Sequence, residues 1–69
     1  MKTDVLIDVG KATNSIRYDA DLANRIGLSR QTFANKRKHP GTFTAYELKA
    51  MAKHLSWTAE DLEAFILNI

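Results

Sequence analysis

The sequence predicts a compact all-α domain of five short helices. Apolar residues recur at three- and four-residue intervals in every segment long enough to judge. No run alternates apolar and polar residues as a strand would, and one proline with three glycines leaves little room for a sheet of hairpins. A residue able to cap a helix also stands ahead of each apolar run.

The first helix is expected from about Asp4 to Thr13. Thr3 or Asp4 is its expected cap, because a side-chain oxygen there can accept from an orphan backbone N–H. Val5, Val9, Ala12 and Ile16, widened by Leu6, form the expected inward stripe. Gly10 should weaken the helix interior by about 1 kcal/mol relative to alanine, and Asn14-Ser15 should stop it.

A second, short helix is expected over about Ala20 to Ile26, with Asp19 as its cap and Leu22, Ala23 and Ile26 facing inward. Gly27 then supplies a left-handed turn. Ser29 should cap the third helix, which His39-Pro40-Gly41 ends, since proline cannot continue the hydrogen-bond ladder. The fourth runs from about Ala45 to Leu55 behind Thr44, with Leu48, Met51, Ala52 and Leu55 turned in. Lys49, Lys53 and His54 fall on its outer side or at its end, where positive charge suits the helix dipole. Thr58-Ala59-Glu60-Asp61 reads as a capping box opening the fifth, with Leu62, Phe65 and Ile66 along one face.

The 69 residues suffice for one domain, spanning 1–69. A chain this short buries only about 60% of its unfolded surface, so modest stability is expected. Without cysteine it has neither disulfides nor thiolate metal sites to staple it. No apolar run is long enough to span a membrane, and Asp4 and Asp8 would interrupt the core of a signal peptide, so a cytoplasmic or nucleoid location is expected. Net charge is only +2, but it is unevenly spread. Between Asn24 and His39 stand Arg25, Arg30, Lys36, Arg37 and Lys38 with no acid. Such a run becomes a nucleic-acid footprint only if the fold gathers it on one surface.

The informative segment is about 19–38. Ala23 is small where two helices must cross, Gly27 frees the turn, and Ile26, Leu28 and Phe33 fill the wedge between them. Behind Ser29 the helix opens with polar residues: Arg30, Gln31, Thr32 and, one turn on, Asn35. The pattern Leu22-Ala23, Ile26-Gly27-Leu28-Ser29, Arg30-Gln31-Thr32-Phe33 resembles the helix-turn-helix of the lambda repressor and Cro family of small phage regulators. Phe43 to Leu48 and Ala52 to Leu62 are similar to that family's last two helices, so the resemblance covers about residues 5–67. It implies a five-helix lambda-repressor-like domain and a sequence-specific repressor or Cro-like switch on double-stranded operator DNA. Asp19 stands where the family often has a phosphate-binding glutamine; a carboxylate repels phosphate and is expected only to cap. Arg37 replaces a commonly apolar residue and adds charge at the helix end.

The expected base contacts are Arg30 and Gln31, which can pair bidentately with guanine and adenine, together with Thr32 and Asn35. Ser29, Lys36, Arg37, Lys38 and His39 are expected on phosphates, with Arg17 and Arg25 as weaker members of that set. His39 and His54 have no partner at metal-ligand spacing, and no metal or cofactor is expected. Tyr18, Phe43, Tyr46 and Trp57 are read as core or edge packing. No nucleophile elbow, phosphate loop or metal spacing joins the serines, histidines and carboxylates, so an enzyme is not expected. Phe65, Ile66, Leu67 and Ile69 are too many apolar groups for one small core to cover, which makes the 58–69 helix a candidate interface for a homodimer or another regulator. The alternative function is a protein-interaction module of the same fold, an antirepressor or modulator that binds another repressor.

Overall fold

Helix ends are written locally in this chain. A computed structural model describes residues 2–69 as α1 (Lys2–Thr13), α2 (Asp19–Arg25), α3 (Arg30–Lys38), α4 (Ala45–His54) and α5 (Ala59–Leu67), with one 3₁₀ turn at Pro40–Thr42. There is no strand among the described residues. Thr44 and Thr58 open α4 and α5 with complete capping boxes. Each hydroxyl accepts from the backbone N–H three residues on, while Glu47 or Asp61 reaches back to the cap residue's own N–H.

Three helices also share one kind of ending. Ser15, Gly27 and Ser56 are left-handed, with φ of 57°, 79° and 55°. The next residue's amide in each case donates to the carbonyl five positions earlier: Ile16 to Lys11, Leu28 to Ala23, Trp57 to Ala52. These three residues are apolar and belong to the core or pack against it, so each stop also aims the chain inward.

α1 packs on α5, while α2 packs on both α3 and α4. Ile7, Leu22, Ala23, Phe33, Met51, Leu55 and Phe65 are fully buried between them. An aromatic series runs through this core from Phe33 to Phe43 (centroids 6.0 Å apart), then to Phe65 (6.1 Å) and Trp57 (5.1 Å). The Trp57 indole N–H donates to the Leu6 carbonyl at 3.1 Å and fastens the α4–α5 hinge to α1.

Four expectations are corrected. α1 begins at Lys2, so Thr3 lies within the helix and is buried instead of capping it. Its inward face is Thr3, Ile7 and Gly10, while Val5 and Val9 are more than half exposed. Gly10 is there for closeness: a Cβ on it would meet Leu55 Cβ at 2.7 Å and the Leu55 carbonyl at 3.2 Å. Tyr18, not Asp19, is the cap residue of α2, and its side chain makes no capping bond. Tyr18 and Tyr46 are exposed and do not pack as the sequence suggested, whereas Phe43 is buried and Trp57 partly so.

Candidate nucleic-acid interface

α3 is presented by its neighbours more than by its own length. Ala23, with no exposed surface, lets α2 lie close beneath it, and Gly27 turns the chain sharply at positive φ. Phe33 then anchors α3 from below, with Ile26 and Leu28 partly buried beside it. The Ser29 hydroxyl accepts from the Thr32 amide at 3.1 Å and donates to the Thr32 hydroxyl at 2.8 Å, which fixes the first turn.

Because Phe33 points in, residues 31, 35 and 38 follow one another at i, i+4 and i+7 on the opposite side. Gln31, Asn35 and Lys38 are accordingly exposed, as are Arg30, Thr32 and Ala34. Gln31 Nε2 donates to Asn35 Oδ1 at 3.4 Å, so the two amides lie along one ridge. Arg30 lies toward α2, where it lines a shallow hollow with Tyr18, Asp19, Ala20 and Ala34. Gln31, Thr32 and Asn35 thus lie on the outside of α3, which carries no acid, and Arg30 is exposed at its α2 edge.

The expected phosphate set divides. Lys38 and His39 are exposed at the end of α3, and Arg17 and Arg25 are exposed at the two ends of the α2 region. Lys36 and Arg37 instead point sideways into neighbouring helices. Lys36 Nζ pairs with Glu47 on α4 at 2.6 Å and donates to the Thr42 carbonyl at 3.2 Å. Arg37 spreads its guanidinium over three carboxylates: Nε donates to Asp4 at 3.0 Å, Nη2 to Asp8 at 2.7 Å, and Nη1 to Asp19 at 3.1 and 3.2 Å. Lys11 also pairs with Asp19. The Arg37 side chain retains 17% of its exposure. Burial alone would lower its pKa, but the hydrogen bonds to Asp8 and Asp4 and the charge of Asp19 outweigh that and hold it above the ordinary value. Glu47 shows the complementary case. Burial would raise its pKa, yet Lys36 and the Thr44 amide together hold it below the ordinary value.

Charge pattern alone could not find this clamp. The partners of Arg37 lie 33, 29 and 18 positions away.

At the C-terminal end, Phe65 is fully buried and drops out of the expected interface, while Ile66, Leu67 and Ile69 remain exposed. Val5 and Val9 form a second exposed apolar strip, beside a small groove closed by Leu6, Gly10, Leu55 and Trp57. Among the described residues no helix is long and apolar enough to cross a membrane. Compared with protein-family models, with curated proteins and with solved structures, the chain gives no match.

Proposed function

We propose that this chain is a sequence-specific DNA-binding regulator, a repressor or Cro-like switch, that lays α3 in the major groove. The observation that carries the reading is the outer face of α3. A helix of nine residues, capped by Ser29 and anchored by Phe33, exposes Arg30, Gln31, Thr32, Asn35 and Lys38 without one acid among them. Arginine and glutamine carry the donor and acceptor geometry that distinguishes guanine and adenine edges, and a width of one helix suits the groove. Lys38, His39, Arg17 and Arg25 then serve phosphates around it. Such a protein works where its operator is, in the cytoplasm or nucleoid of a bacterial or phage-infected cell, and needs no cofactor or catalytic step.

The test is selection from a randomised duplex library followed by titration across salt. The reading expects a defined sequence to be enriched and its affinity to fall steeply with salt, as counterion release requires. Recovery of unenriched sequences contradicts it.

A second reading is favoured by the apolar surface. Leu67 is 73% exposed, and Ile66, Ile69, Val5 and Val9 are about half exposed, apolar side chains that a partner could cover. On that reading the domain binds another regulator, and α3 meets an acidic protein surface. The same apolar residues would serve a homodimer on a near-palindromic operator, so they discriminate only together with the DNA result.

A further inference from the structure

We propose that Lys36 and Arg37 are positioning residues which set the orientation of α3, and that neither belongs to the phosphate footprint. The inference rests on the DNA-reading function and names how that site is held. The two residues are adjacent in sequence and flank Phe33 on either side of the helix. Lys36 ties α3 to α4 through Glu47, and Arg37 ties it to α1 through Asp4 and Asp8 and to α2 through Asp19. α3 is therefore moored by charge from both sides while Phe33 holds it from beneath.

A guanidinium is a planar fork of five donors. With all three of its nitrogens already engaged by carboxylates, Arg37 has little left to offer a phosphate. Those carboxylates would also repel a strand that approached this edge. Phosphate neutralisation then falls to the exposed cations, with Lys38 next to the clamp as the natural comparison.

The experiment uses the full chain and three variants, Lys38→Ala, Arg37→Met and the milder Asp4→Asn/Asp8→Asn, each checked for helicity by circular dichroism. The site selected from random duplexes and an unrelated duplex are titrated across salt. Lys38→Ala should reduce the slope of log affinity against log salt by about one contact, roughly 0.9. Arg37→Met should leave the slope unchanged while specific affinity drops roughly tenfold relative to the unrelated duplex, as when about one base contact is lost. The paired asparagine variant covers the case in which Arg37→Met fails to fold. It keeps Arg37 and its bonds to Asp19 while removing the two charges that tie it to α1, so mooring predicts a lower specific-to-unspecific ratio at unchanged slope. A steeper slope with tighter binding would mean the partly freed Arg37 grips phosphate, and would overturn the proposal.

A separate arm uses no DNA. Residual dipolar couplings should report a reorientation of α3 against α1 in the asparagine variant; an unchanged orientation overturns the mooring. If the unmodified chain selects no sequence, the DNA reading fails, and the dipolar couplings still decide whether these residues orient α3.

Discussion

Gly10 carries two opposed effects at a single Cα. Glycine weakens a helix interior by about 1 kcal/mol relative to alanine, so composition alone recommends replacing it. The packing argues the other way, because the added Cβ would lie 2.7 Å from Leu55 Cβ, an atom fixed to the α4 backbone. Relief requires α1 and α4 to move apart, and overpacking of this kind costs about 1–3 kcal/mol. Gly10→Ala should therefore lower unfolding free energy in urea titration; an increase would mean the contact relaxes at little cost. Glu47 gives a residue-level pH dependence. Its folded pKa lies below the ordinary 4.5, so its contribution is present in full above 4.5 and is lost as pH falls through the lowered folded value. Glu47→Gln can keep the capping bond but not the charge pair with Lys36. The stability gap between wild type and this variant should narrow as pH drops below 4.5, as read by denaturant titration at several pH values. A gap that stays constant would show that the pair with Lys36 contributes nothing. Neither the close approach at Gly10 nor the charge pair of Glu47 is visible locally. Gly10 reads in sequence only as a helix weakener, and nothing near Glu47 marks Lys36 as its partner, because Leu55 and Lys36 approach them only in the fold.

At the scale of elements, much of the sequence was legible because short-range chemistry decides it. Ser29, Thr44 and Thr58 cap the helices where side-chain oxygens were expected to, and Gly27 turns where a positive φ was needed. The phase of α1 differs from the one its apolar residues suggest, for a physical reason. Helical periodicity fits Val5-Val9-Ala12 as well as Thr3-Ile7-Gly10, and the first set is the more apolar. The close approach at Gly10 selects the second, so Thr3, Ile7 and Gly10 face inward and the valines face out. The helix stops were half visible: glycine announces a left-handed residue, whereas Ser15 and Ser56 adopt the same geometry against their side chains' preference. A left-handed non-glycine residue costs roughly 1–2 kcal/mol, of which glycine's added chain entropy returns about half. Ser15, unlike Ser56 with its bond to Asn14, makes no side-chain hydrogen bond among the described residues. Ser15→Gly should thus raise the melting temperature by a few degrees, in line with a gain of up to about 1 kcal/mol. A fall in melting temperature would show that the turn at Ser15 is not strained.

For the whole molecule, the decisive quantity is where charge ends up. The radius of gyration is 10.6 Å, close to the roughly 11 Å of a compact chain of this length, so no large part is unpacked. Within it the basic run from Arg25 to Lys38 is split by the fold. Lys36 and Arg37 turn inward to carboxylates from α1, α2 and α4, and the rest stay exposed. The candidate base-reading face was legible because a capped helix with one buried anchor fixes which residues point out. What the sequence did not disclose is that two candidate phosphate residues, Lys36 and Arg37, are paired, because the acids that claim them come from positions distant in sequence. The central claim, that the outer face of α3 reads DNA, is tested most directly by comparing wild type with the Arg30→Ala/Gln31→Ala variant. Both residues are exposed, so the fold should be retained. Each protein is titrated at two salt concentrations against a duplex selected by the wild type and against an unrelated one. The account predicts that the variant loses roughly a hundredfold or more on the selected duplex, two bidentate contacts' worth, and far less on the unrelated one. Equal affinity of wild type and variant for the selected duplex would contradict it.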